Sequence, residues 1–298
     1  MRSREQRRLS DLERRLVWIM GSPRTGSSWL AGMLVTLAGA IGVDEPQIGL
    51  HLGTLAPDIL GAPARSFRDE QLRWIDNRRD EHHYFFNDQF RPVWQPALRD
   101  LILKRLAVQL SDEDDGRRYV IVKEPNGSAA ADVLLAAMPA ARLLFLVRDG
   151  RDVIDSQLDA IAPGAWLAAY GGGHQMSAEQ RLVYIEERAR RWVVNTQIVR
   201  NAFSSLPQEQ RLLMRYEDLL ADPRQALDRA LLWLGAPSPA DIDEVISSRA
   251  ISAVPDRGKG RFARAARPGI WRENLNLDEQ RVLAGIVNET LVSLGYEL

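Results

Sequence analysis

The stretch Leu16-Val17-Trp18-Ile19-Met20-Gly21-Ser22-Pro23-Arg24-Thr25-Gly26-Ser27-Ser28-Trp29-Leu30 decides how the rest of the chain is read. Residues 16–20 are apolar and include the β-branched Val17 and Ile19, which suits a short strand buried on both faces. Gly21, Pro23 and Gly26 then end the extended run and force a tight turn. From Ser27 onward Trp29, Leu30, Met33, Leu34 and Leu37 recur at helical spacing, which puts Gly26, Ser27 and Ser28 at the first turn of a helix. Unpaired backbone N–H groups, two hydroxyls and the positive end of the helix dipole converge there. Arg24 adds a fixed charge, and the combination is an anion site.

From Gly21 to Gly26 the spacing matches the opening of the nucleotide-binding pattern G-x-x-x-x-G-K-[ST], but Ser27 stands where that pattern has lysine. The lysine of that pattern reaches the outer phosphates of a nucleoside triphosphate, and no other lysine lies near in sequence. A phosphate-holding loop is expected, whereas an ATP or GTP hydrolase is disfavoured. The plain structural alternative is a glycine-bearing turn before an ordinary helix.

Composition narrows the classes further. The 298 residues carry 39 basic and 40 acidic side chains, a net charge of −1, so nothing global points to nucleic acid, and an apolar fraction of 45% is ordinary for a globular protein. Cysteine is absent, which excludes disulfides and thiolate chemistry and fits a reducing compartment. The longest apolar stretch, 29–43, is too short to span a membrane and is broken by Gly32, Gly39 and Gly42. Residues 1–15 hold six arginines without the apolar core of a signal peptide, and are expected as a frayed helix or solvated basic tail. A cytoplasmic protein is the expectation. Adjacent His82 and His83 make poor joint ligands, and no carboxylate-histidine spacing supports them, so no metal is expected.

Along the chain, 45–115 reads as an insertion that shapes a substrate pocket or, equally, as a helical cap with its own core. Helices are expected over 69–79 and 97–109, and no strand between 47 and 109. Residues 111–116 form an acidic, solvated turn. Strands follow at 119–123, 142–147 and 210–216, and helices at 127–138, 178–203, 223–234, 241–246 and 277–294. Strands that are apolar on successive residues and alternate with helices imply a parallel sheet covered on both faces, with ligands beyond the carboxyl ends of the strands. Residues 164–177, with three consecutive glycines, read as a loop able to close over a site or as a plain connection. Without a linker or repeat, 1–298 is expected to be a single domain.

Four separated pieces then fall at strand ends or in basic loops: the segment from Arg24 to Trp29; Arg148 with Ser156 eight residues on; Tyr216; and a loop with Arg261, Arg264, Arg267, Trp271 and Arg272. Two anion sites with aromatic platforms suggest a nucleotide phosphorylated at two places. The pieces resemble those of the sulfotransferases that use 3′-phosphoadenosine 5′-phosphosulfate (PAPS). The family's 5′-phosphosulfate loop, similar to Pro-Lys-Ser-Gly-Thr-Thr-Trp, stands here as Pro23-Arg24-Thr25-Gly26-Ser27-Ser28-Trp29, with arginine in the lysine position as in Golgi and many bacterial members. Its 3′-phosphate signature, an arginine followed by a serine, matches Arg148 and Ser156, with Gly150 where proline is usual. Its Tyr-Glu-Asp-Leu segment, whose tyrosine lies near the adenine, matches Tyr216-Glu217-Asp218-Leu219. Gly269-Ile270-Trp271-Arg272 also fits, while the upstream Arg-Lys-Gly of cytosolic members has no clean copy and is represented only by Arg264 and Arg267.

This resemblance implies an α/β, P-loop-like three-layer fold with a central parallel sheet, helices on both faces and a helical substrate insertion. It also implies PAPS as donor, adenosine 3′,5′-bisphosphate as product, no metal, and a hydroxyl or amine of a small-molecule, carbohydrate or peptide acceptor. Arg24 and Lys123 are the cations expected on the transferring group and the bridging oxygen. Cytosolic members place a histidine base two residues after the strand-end lysine, a slot that Pro125 occupies here. The tyrosylprotein branch uses a glutamate downstream of the first helix, and Glu45, 21 residues after Arg24, is the matching position. Pro46 is expected to bias Glu45 toward an extended backbone. Glu124, or a histidine such as His51, His82 or His83, is the alternative base. A P-loop kinase or NTPase and a non-catalytic nucleotide-binding scaffold are the competing classes.

Overall fold

The computed structural model describes residues 4–52, 72–110, 114–167, 173, 175–250 and 267–298. Its centre is β1 (Leu16–Gly21), buried at every residue. β1 pairs in parallel with β3 (Val120–Lys123) on one side and β4 (Arg142–Val147) on the other. β2 (Ile41–Asp44) adds beside β3 and β5 (Arg211–Arg215) beside β4, so the order is β2-β3-β1-β4-β5, all parallel.

Successive residues of β1 feed opposite faces, as strand geometry requires. Leu16, Trp18 and Met20 join one core with Leu103, Leu134 and Val194, drawn from helices Arg91–Gln109, Ala131–Ala137 and Ala178–Ser205. Val17 and Ile19 join a second with Leu30, Leu34, Leu227 and Leu231, from helices Ser27–Leu37 and Pro223–Leu234. Helices thus cover both faces of the parallel sheet, which is why its strands are apolar without alternation. A third cluster, around Ile154, Trp192, Trp271, Leu283 and Val287, ties Gly150–Ala160 and Ala178–Ser205 to the last helix, Leu277–Ser293.

Two expectations are corrected. Residues 4–15 are not a frayed tail: the helix Arg4–Arg15 buries Leu9 and Leu12 against Arg91–Gln109. Its buried Glu13 accepts from Arg99 Nε at 2.6 Å and from the Ala140 N–H at 2.9 Å. Two leucines three apart and one satisfied carboxylate are enough to dock a helix whose other residues are mostly polar. The acidic turn is not simply solvated either, because Asp114 accepts from Arg15 at 2.7 and 2.9 Å. To these the structure adds β2, for which the sequence raises no expectation. A four-residue strand with alternating burial carries too little periodicity to read, yet its register sets Asp44 opposite Lys123.

Elsewhere the elements fall near their expected places. Residues 72–77 are helical, the next long helix starts at Arg91 rather than 97, and 127–138 divides into a 3₁₀ segment Pro125–Ala130 and the helix Ala131–Ala137. In the 45–115 region, fully buried Arg78 lies 5.7 Å from the Trp74 ring and 5.4 Å from that of Tyr84, and it pairs with Asp132, docking this region onto the core. Residues 168–172 and 174 of the glycine-rich loop lie outside the described residues, as do Arg261 and Arg264.

Candidate functional site

The loop after β1 takes its shape from backbone conformations that few side chains allow. Gly21 has φ 156°, and a Cβ there would lie 2.0 Å from the Leu146 carbonyl oxygen of β4. Gly26 has φ 82°, and a Cβ would meet the Tyr216 ring at 2.7 Å. Ser128 Oγ clasps the strand end, donating to the Gly21 carbonyl at 2.6 Å. No side chain caps the helix Ser27–Leu37, so its first-turn N–H groups face an anion site without a competing oxygen.

Arg24, also at positive φ (72°), joins the two expected anion sites. Its carbonyl accepts from Arg148 Nη1 at 2.9 Å and its Nε donates to Ser156 Oγ at 3.2 Å. The Arg148 guanidinium lies 4.5 Å from the centre of the Tyr216 ring, and its buried Nε has no partner among the described residues. Tyr216 opens the short helix Tyr216–Ala221 rather than ending β5. Arg24, Thr25, Gly26, Ser27, Ser28, Arg148, Ser156 and Tyr216 therefore form a continuous patch. A glycine cradle, an uncapped helix end and an orphaned guanidinium N–H fit a phosphorylated ligand.

Beside this patch lies a second cluster at the ends of β2 and β3. Lys123 Nζ donates to Ser28 Oγ at 2.8 Å and pairs with Asp44 at 2.5 Å and Glu45 at 2.9 Å. Burial by itself pulls the ammonium down, but hydrogen bonds and charges from the two carboxylates outweigh it and hold its pKa above the usual value. Asn126 Nδ2 donates to the other Glu45 oxygen at 2.7 Å, and the Glu45 N–H donates to the Lys123 carbonyl at 2.9 Å. The extended backbone expected of Glu45 is corrected: its φ is 40°, held by these three bonds against the bias of Pro46. Asp44 and Asn126 are site residues that sequence reasoning missed, for neither stands in a motif.

Glu124 has a different setting. It is fully buried, and its Oε2 accepts from the Gln47 N–H at 2.9 Å. Burial pushes its carboxyl up to about 7, helped by the charge of Glu45 and opposed by backbone hydrogen bonds from residues 47–49. His51, His82 and His83 are exposed, and the last two pack edge to face on each other. Trp29 is partly buried against the core of Leu30 and Leu34. Trp271 is buried, with the guanidinium groups of Arg151 and Arg272 4.8 and 4.5 Å from its ring centre, and its backbone N–H donates to Asp152 at 3.3 Å. Arg267 pairs with exposed Glu273. A cavity of about 250 Å³ opens beside Ser22 and Pro23 and is lined also by Asn126, Arg188 and Arg191.

The family model described as the sulfotransferase family matches residues 17–240. In fold the chain is similar to a sulfotransferase from Mycobacterium avium, at 19% identity and a TM-score of 0.51 over 95% of this chain and 78% of that one. It is similar to a mouse sulfotransferase complexed with PAP, at 12% identity and 0.53 over 95% and 89%. A third likeness is to retinol dehydratase in complex with androsterone and inactive cofactor PAP, at 13% and 0.53 over 96% and 82%. Among curated proteins none matches.

Proposed function

We propose, on the premise that this chain belongs to the sulfotransferase family, that it moves a sulfuryl group from PAPS to a hydroxyl or amine of a small-molecule, carbohydrate or peptide acceptor. The observation that carries this reading is Lys123, whose ammonium touches both Ser28 of the phosphate loop and the Glu45 carboxylate. One cation thus stands between the donor side and a candidate base.

Bound PAPS supplies an activated sulfuryl group whose bond to a phosphate oxygen breaks as the acceptor oxygen bonds to sulfur. The chain's own part is alignment and charge. The loop N–H groups, Ser27 and Ser28 hold the 5′ end, and Arg148 with Ser156 the 3′-phosphate. Arg24 and Lys123 stabilise charge on the transferring group and the leaving oxygen. Glu45 takes the acceptor's proton. Asp44 and Glu45 share one ammonium, so its positive charge is divided between two carboxylates. Glu124, enclosed and engaged by the 47–49 backbone, positions that turn instead. Trp29, Tyr216, Trp271 and Arg272 are assigned to the nucleotide, residues 1–298 to a single domain, and the protein to the cytoplasm.

Glu45→Gln is nearly isosteric but accepts no proton at neutral pH. It should leave adenosine 3′,5′-bisphosphate affinity intact and lower turnover by about two to four powers of ten. Near-normal turnover would reject Glu45, and a collapse confined to Glu124→Gln would move the base there. Bisphosphate binding without magnesium separates this reading from a kinase or NTPase.

A further inference from the structure

The cavity beside the phosphate loop contains charge that the donor site does not use. Arg188 and Arg191 stand three apart on the helix Ala178–Ser205, on one face, and both line the cavity. Among the described residues neither has a carboxylate partner. Arg188 lies 4.9 Å from the Tyr184 ring and hydrogen-bonds the Tyr184 side chain, while its buried Nε has no partner among the described residues. Burial and the charge of Arg188 both pull the Arg191 guanidinium below its ordinary value. Two half-buried cations of like sign at this spacing repel each other and weaken the helix. Their arrangement calls for an anion from outside the fold.

Two further groups in the same cavity point to a ligand. Asn195, one turn beyond Arg191, is buried with its Oδ1 unpaired, and Gln157, next to Ser156, has a buried Oε1 without a partner among the described residues. Both are acceptors, and unpaired buried acceptors call for donors such as hydroxyls. Asn126, which bonds Glu45, lines the wall as well, so the cavity adjoins the candidate base. Its volume of about 250 Å³ lies just under the usual range for ligand pockets and suits one ring-sized unit.

We propose that this cavity is the acceptor subsite and that it selects an acceptor carrying an anionic group, a carboxylate, sulfate or phosphate, on Arg188 and Arg191. Hydroxyls of the same molecule donate to Asn195 and Gln157. The inference rests on the sulfotransfer reading and adds the class of acceptor.

The test uses matched probes that differ only in charge: methyl glucuronoside against its methyl ester, and 4-hydroxyphenylacetate against its methyl ester. Binding to the full chain is measured calorimetrically with and without adenosine 3′,5′-bisphosphate, and sulfate transfer from PAPS is measured in parallel. The acid of at least one pair should bind about ten- to a hundredfold more tightly than its ester, the range of a charge-assisted hydrogen bond. Arg191→Gln and Arg188→Gln should abolish that preference with bisphosphate affinity unchanged, and Arg191→Lys should keep most of it. Equal binding of acid and ester in both pairs overturns the proposal. So does a loss of bisphosphate affinity in the arginine variants equal to the loss of acid affinity, since the arginines would then serve the donor. Failure of the parent chain to bind the bisphosphate strikes the sulfotransfer reading instead, and acid-against-ester binding to the unloaded protein still decides this one.

Discussion

The phosphate loop and the cavity beside it are built in opposite ways. In the loop, backbone sets most of the shape: Gly21, Arg24 and Gly26 take positive φ, and Arg24 and Ser156 bond each other. In the cavity, side chains from distant segments meet, and among the described residues Arg188, Gln157 and Asn195 keep buried polar atoms unpaired, as Arg148 Nε does beside the loop. On the proposed reading the loop receives one unchanging ligand and can be made of main chain in fixed conformation, whereas the cavity discriminates among acceptors and needs exchangeable side chains.

Glu124 follows Lys123, which bonds Ser28 of the loop, and holds the Gln47 N–H, and its titration gives the largest test. In the folded chain its carboxyl keeps its proton up to about pH 7, against 4.5 for the ordinary group. Its contribution to stability is therefore complete below pH 4.5 and is lost as pH rises through 7. Glu124→Gln, neutral throughout, should remove that loss, gaining on the order of 3 kcal/mol on the parent between those limits in denaturant titrations. Bisphosphate affinity in the parent should hold across the same window, because the Glu124 side chain bonds the turn at Gln47 and not the phosphate loop. Parallel stability curves for the two proteins would break the assignment.

Arg148 tests the loop side alone. Adenosine 3′,5′-bisphosphate should raise the melting temperature more than AMP at equal concentration, since AMP lacks the 3′-phosphate. Arg148→Ala should narrow the gap, with a loss of about 1.5–3 kcal/mol in bisphosphate binding. Equal shifts for both ligands in the parent would remove the second anion site.

Trp29 sharpens the boundary between cofactor and core. Trp29→Ala should weaken bisphosphate binding by about 1–3 kcal/mol if the ring stacks on the base. Unchanged affinity with a lower melting temperature would make Trp29 part of the core around Leu30 and Leu34 only.

What the sequence determined by itself is local and contiguous. The strand at 16–21, the turn that Gly21 and Gly26 require, the uncapped helix start and the parallel α/β pattern all follow from periodicity and from backbone conformations encoded within a few residues. Lys123 was legible as a strand end, and Glu45 was singled out only through the resemblance to the glutamate-base branch. The tertiary structure alone decided that β2 inserts beside β3, which brings Asp44 and Glu45 to Lys123. It alone put Asn126 on Glu45, and Arg188 and Arg191 in the cavity beside the loop. The reason is physical. Such meetings depend on strand order and helix packing across many tens of residues, and a four-residue strand or two arginines on a long helix have no local pattern that distinguishes them from solvated surface.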